Sequence, residues 1–173
     1  MHIYNAGFHK FSQDLAQLPL LKHINLHFHS SNNISDKGIK SLCQSLAKLT
    51  LLQSVDLAFT GCKLITDKAM GDLSEALKHF SSSLREIHIS FERCDKITET
   101  GMSELSQALS QLPLLQSLHL NLRKCSRISK GIGSLGQALK NLTSLHSFYL
   151  NLRDENIKHG EFLSLTEGIK ALV

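Results

Sequence analysis

The chain has no tryptophan, and aromatic residues fill only 6% of its 173 positions. Its core must therefore be built from aliphatic residues, above all leucine, and few rings are available for unpaired nucleic-acid bases to stack on. No run approaches the roughly 18 to 20 apolar residues that span a bilayer. Met1, His2, Ile3, Tyr4 and Asn5 lack the basic and apolar regions of a signal peptide. Four cysteines do not make a disulfide framework in a chain whose sequence already supplies a core. A reducing, cytoplasmic setting is the expectation. The net charge of +4 is mild and selects no class of partner.

Catalytic signatures are missing too. The chain contains no G-x-S-x-G, no Walker loop, no H-E-x-x-H and no C-x-x-C. Gly131-Ile132-Gly133-Ser134-Leu135-Gly136 spells G-x-G-x-x-G. Its third glycine falls mid-helix in the pattern below, so the segment reads as a helix start. No enzyme activity, cofactor or metal is expected.

What the sequence does have is a repeat. Five segments follow L-x-x-ϕ-x-ϕ-x-ϕ: Leu21/Ile24/Leu26/Phe28, Leu52/Val55/Leu57/Phe59, Leu84/Ile87/Ile89/Phe91, Leu115/Leu118/Leu120/Leu122 and Leu145/Phe148/Leu150/Leu152. Their first residues are 31, 32, 31 and 30 positions apart. Alternation of the last three apolar positions with polar ones predicts a strand with one buried face. A short polar loop follows, then an isoleucine and apolar spacings of three and four that predict one helix face. Ile65/Met70/Leu73/Leu77/Phe80 is one instance, and Ile157/Phe162/Leu165/Ile169/Leu172 is the last.

Ser35, Thr66, Thr98 and Ser129 are the expected N-caps, and Asp36, Asp67 and Glu99 suit the positive end of the helix dipole. Gly38, Gly101, Gly131 and Gly160, with Ala69 in the second unit's place, are expected to bring the helix start close to the strand layer. Each unit carries large apolar side chains worth roughly 1.5 to 3 kcal/mol apiece when buried. Those faces are covered only when units stack.

The pattern L-x-x-L-x-L, then Ile-[Ser/Thr]-Asp-x-Gly and a helix, resembles the ribonuclease-inhibitor-like class of leucine-rich repeats. Cys62, Cys94 and Cys125, each ten residues after a repeat's first leucine, and the Ile-Thr-Asp phrase resemble the cysteine-containing class. The repeats run longer than the usual 20 to 29 residues, and the cysteine lies about two positions later than the family's Asn/Cys slot. The resemblance implies an α/β solenoid, a horseshoe with parallel strands on the concave face and helices on the convex face. It also implies protein binding through the concave face.

The whole chain, 1–173, is read as one domain. Five strand-bearing repeats start near 21, 52, 84, 115 and 145, after a helical half-repeat over 1–20. In that half-repeat Ile3 matches Ile34 and Phe11/Leu15/Leu18 match Leu42/Leu46/Leu49. Neither end shows a polar capping repeat, so a fragment of a longer array, or ends covered by a partner, is expected. Five strands offer roughly 400 Å² of concave face, about half of one side of a standard interface. Loops must contribute, or more repeats.

The outward strand positions are the candidate site. One column reads Asn25, Asp56, His88, His119, Tyr149, and the next His27, Ala58, Ser90, Asn121, Asn151. Asp56, His88, His119 and Tyr149 are the expected contacts, joined by Asn121 and Asn151, with Arg93 and Arg123 as peripheral charges. Asp56, His88 and His119 have zinc-type donors but no fourth ligand or recognised spacing, so they read as a solvated binding face. The loop cysteines read as small buried groups filling a turn. Arg93, Arg123, Lys124 and Arg153, with Lys63, Lys96 and Arg127 near, form a modest basic rim. The expected partner is a protein. The alternatives are a scaffold segment that associates end to end, and a phosphate or nucleic-acid binder using the rim, of which nucleic acid is the less favoured.

Overall fold

The computed structural model describes residues 5–29, 33–153 and 159–172. Eleven elements alternate: α1 (Asn5–Leu15), β1 (His23–His27), α2 (Asp36–Leu46), β2 (Ser54–Ala58), α3 (Asp67–Lys78), β3 (Glu86–Ser90), α4 (Glu99–Leu109), β4 (Ser117–Asn121), α5 (Ser129–Leu139), β5 (Ser147–Asn151) and α6 (His159–Lys170). The strands form one parallel sheet in chain order, β1-β2-β3-β4-β5. Each strand and the helix after it make one coil. Ile3 and Ile157, read as loop positions of the first and last coils, lie outside the described residues.

Stacking in register brings like residues together. Val55 pairs with Ile24 and Ile87, and Leu57 with Leu26 and Ile89. These side chains join Leu42, Leu73, Leu105 and Leu135 of the helices in one core. The helices thus cover one face of the sheet and leave the other open. At the strand ends Phe28, Phe59 and Phe91 stack, ring centroids 5.6 Å apart at both steps. Phe8 of α1 closes this row edge-on, 5.1 Å from Phe28. In α1 Phe8 and Leu15 are buried, while Phe11, and Leu18 in the turn after the helix, are 40% and 52% exposed. No coil lies on the outer side of α1 among the described residues, so the positions matching Leu42 and Leu49 stay open.

Two cap positions differ from expectation. Thr66 and Thr98 do cap, their hydroxyls accepting from the backbone N–H of Lys68 and Thr100. Ser35 stands at the N-cap of α2 without a side-chain cap bond, and α5 begins at Ser129 itself, after Ile128. The first-turn acids do more than meet a dipole. Asp36 accepts from the backbone N–H and the hydroxyl of Thr66 in the next coil, both at 2.8 Å. Asp67 treats Thr98 alike, at 2.7 and 2.6 Å. Asp36 and Asp67 thus each clamp their coil to the following one.

Gly101 and Gly131 at helix starts face the preceding helix, not the strand layer. A Cβ on Gly101 would lie 2.6 Å from Asp67 Oδ1, and one on Gly131 2.4 Å from Met102 Cβ. Helix starts meet flank to flank because one repeat carries each onto the last. Gly160 has nothing within 4 Å of such a Cβ. Farther along, Gly136 and Gly168 let α5 and α6 meet backbone to backbone, for a Cβ on Gly168 would lie 2.1 Å from the Gly136 carbonyl oxygen. Gly136 of the G-x-G-x-x-G run is thus a helix-packing residue.

Candidate functional site on the open sheet face

Strand alternation turns the polar positions away from the core, and parallel register aligns them across coils. Asn25, Asp56, His88, His119 and Tyr149 are successive partners at the centre of the five strands. His27, Ala58, Ser90, Asn121 and Asn151 form the neighbouring row. The structure therefore brings Asp56, His88, His119 and Tyr149 together.

Within the central row the side chains bind one another. Asn25 donates to Asp56 Oδ2 at 2.9 Å, and the His27 ring donates to Oδ1 at 2.8 Å. His88 Nδ1 lies 3.3 Å from the same Oδ1. The half-buried carboxylate of Asp56 is thus the hub of three neighbours. From His88 onward the row is a pile of rings: His88 to His119 at 4.0 Å between centroids, and His119 to Tyr149 at 4.1 Å. Tyr149 ends the pile and is 51% exposed. Partial burial lowers the His119 pKa below its ordinary value; the neighbouring His88 adds to the shift and Asp56 opposes it.

Among the described residues no three His, Cys, Asp or Glu side chains are placed to hold a metal ion.

Asn121 and Asn151 serve the turns that follow their strands. Their side-chain oxygens accept from the backbone N–H of Arg123 and Arg153, each at 3.3 Å. Arg123 donates to Glu92 at 2.8 Å, and Asn121 holds the other Glu92 oxygen at 3.3 Å. Arg123 is therefore a half-buried clamp between two coils as well as a rim charge. Arg93 stays exposed, 3.8 Å from Glu92. Lys63 is paired with Asp95.

Cys62, Cys94 and Cys125 are buried. Cys94 donates to the carbonyl of Phe59 at 3.1 Å, and Cys125 to that of Phe91 at 3.0 Å. Burial, with Cys125 beside it, pushes the Cys94 thiol up to about 12. A protonated thiol is a poor nucleophile, and these fasten one turn to the turn before it. Sequence reasoning missed that bond and the Glu92–Arg123–Asn121 clamp. Only the position of Glu92, one coil before Arg123, pointed to the latter.

No protein-family model matches the sequence, and no curated protein matches it. Solved structures do resemble it in three dimensions. The actin-binding site 2 structure of leiomodin-1 is 16% identical, covers 93% of this chain and 88% of its own, and gives a TM-score of 0.60. A tropomodulin C-terminal domain from Caenorhabditis elegans is 13% identical, covers 92% and 93%, and gives 0.61. The likeness, with the in-register parallel coils, decides the fold. It is a leucine-rich-repeat solenoid. Among the described residues of this solenoid, no helix is long and apolar enough to cross a membrane.

Proposed function

We propose that this leucine-rich-repeat domain is a protein-binding module that engages its partner with the open sheet face and adjoining loops. The observation that carries the reading is the row Asn25–Asp56–His88–His119–Tyr149. It places one polar or ring side chain per coil outside the core, held in mutual contact. Side chains fixed before binding lose less entropy when a partner arrives, and Tyr149 supplies an exposed aromatic anchor. On this reading the domain does no chemistry of its own and works in the cytoplasm. Its repeats are of the ribonuclease-inhibitor-like subtype.

One structural neighbour is titled for an actin-binding site, so actin is the first partner to test, by co-sedimentation with filaments and by titration of monomers. Independently, affinity capture should compare the parent chain with an Asp56→Ala/His88→Ala/His119→Ala variant that retains its helical circular dichroism. Loss of captured proteins from the variant supports the reading. An unchanged set of captured proteins removes the sheet face from it.

A second reading is favoured by Leu18, Leu20, Phe162 and Leu163, exposed in the turn after α1 and in α6. Apolar ends suit a scaffold segment that stacks on further material. Sedimentation velocity over a hundredfold range of concentration tests self-association of the chain. Concentration-independent monomers oppose it.

A further inference from the structure

Beyond the sheet-face row, the loops after β3 and β4 carry a second surface. Arg93, Lys96, Lys124 and Arg127 are all exposed there. Among the described residues Glu92 is shared by Arg123 at 2.8 Å and Arg93 at 3.8 Å, and Asp95 is paired with Lys63. Lys96, Lys124 and Arg127 form no ion pair among the described residues, and Arg93 has only the longer contact to Glu92.

Two of those cations sit where the backbone disfavours them. Arg93 has φ 61° and Lys124 φ 62°, and the matching position one coil earlier is Gly61 at φ 71°. Inter-coil bonds impose that conformation: Gly61 N–H donates to the Glu92 carbonyl at 2.7 Å, and Arg93 N–H to the Arg123 carbonyl at 2.9 Å. Glycine takes this left-handed turn without strain, whereas a side chain with a Cβ does not. At Arg93 and Lys124 the chain bears a long cationic side chain at a cost in local stability and, among the described residues, with no ion pair to an adjoining coil. Strain held at an exposed position points to a task outside the fold.

We propose that the loop edge formed by Arg93, Lys96, Lys124 and Arg127 is a docking surface for an acidic protein segment that bears carboxylates on successive residues. Neighbouring parallel coils lie about 4.8 Å apart, within reach of flexible arginine and lysine side chains meeting a run of Asp or Glu. A nucleic acid fits less well. Phe91 is buried, and Tyr149 belongs to the sheet-face row, so these loops present no ring for bases to stack on.

The test uses the full chain and two labelled probes at low salt: a fifteen-residue poly-L-glutamate and a single-stranded oligonucleotide of about equal charge. The parent should bind poly-glutamate, and binding should weaken steeply with added salt. R93Q/K124Q removes the charges and should weaken binding about tenfold or more. R93G/K124G should weaken it equally while melting at or above the parent temperature, because the turn is relieved. K40Q/K68Q, which removes two exposed cations at the starts of α2 and α3, should leave binding within about twofold. Several results overturn the proposal: no poly-glutamate binding by the parent, equal loss in K40Q/K68Q, tighter binding of the oligonucleotide, or a lower melting temperature for R93G/K124G. None of these outcomes touches the sheet-face reading, whose variants lie at Asp56, His88 and His119.

Discussion

Leu57, Ile89 and Leu120 hold the same strand position in three central coils that Leu26 and Leu150 hold in the outermost two. The central three are at most 1% exposed, whereas Leu26 and Leu150 are only partly buried. Their chemistry is nearly the same, and so is their place in the strand. What differs, among the described residues, is the number of neighbouring strands, two in the middle and one at each edge. In this fold burial is a property of position in the stack more than of the residue itself.

The sharpest way to break that comparison is to truncate the same position in both regions. Ile89→Ala in β3 should lower unfolding free energy by about 3 kcal/mol in urea denaturation. Leu150→Ala in β5 should lower it by about half as much, because its side chain has already kept part of its water contact. Equal losses would show that the end coil is as tightly closed as the centre.

Helix contacts sharpen it at the second rank. Gly168→Ala drives a Cβ to 2.1 Å from the Gly136 carbonyl oxygen and should destabilise the chain by about 2 kcal/mol, within the range for overpacked cores. Gly160→Ala, in the same helix with nothing within 4 Å, should stabilise by up to about 0.5 kcal/mol through helix propensity. Thermal melts of the two variants should move in opposite directions.

The coil-to-coil clamps come next. Asp67→Ala removes both bonds to Thr98 and should cost about 1.5 kcal/mol. Asp14→Ala breaks an exposed pair with Lys10 in α1, where surface salt bridges contribute little, and chemical denaturation should register almost no change.

The smallest effect concerns pH. His119 is held below its ordinary pKa by partial burial and by His88. In the interval between its folded value and the unfolded value near 6.5, the unfolded chain binds more protons, so stability rises with pH there. Acidification through that interval therefore weakens the fold, and above it the contribution is constant. His119→Gln should flatten this part of the stability–pH curve. A steeper curve in the variant would contradict the assignment.

The strand rows were legible in the sequence because alternation assigns each residue a face and the near-constant repeat assigns it a neighbour. Asp56, His88, His119 and Tyr149 could be aligned by counting, and the pairing follows that count. Helix existence was equally plain. What could not be counted was lateral contact beyond the strands. Asp67 reaches Thr98, and Gly136 meets Gly168, across 31 and 32 residues. Those meetings depend on how far each helix slides against the next, which loop geometry decides. Phe8 is sealed like its counterpart Ile39, and only Phe11, matching buried Leu42, stays open, because no coil lies on the outer side of α1 among the described residues.

Among the described residues, each helix lies beside helices of adjoining coils alone, and each strand pairs with adjoining strands alone. Local opening needs no agreement from distant parts of such a molecule. Amide hydrogen exchange should therefore be graded, fastest in β1 and β5 and slowest in β3, without a single all-or-none unit. A ligand spanning all five strands would tie the outer ones to the middle and level that gradient, so exchange at β1 and β5 would report occupancy of the sheet from places far from its centre.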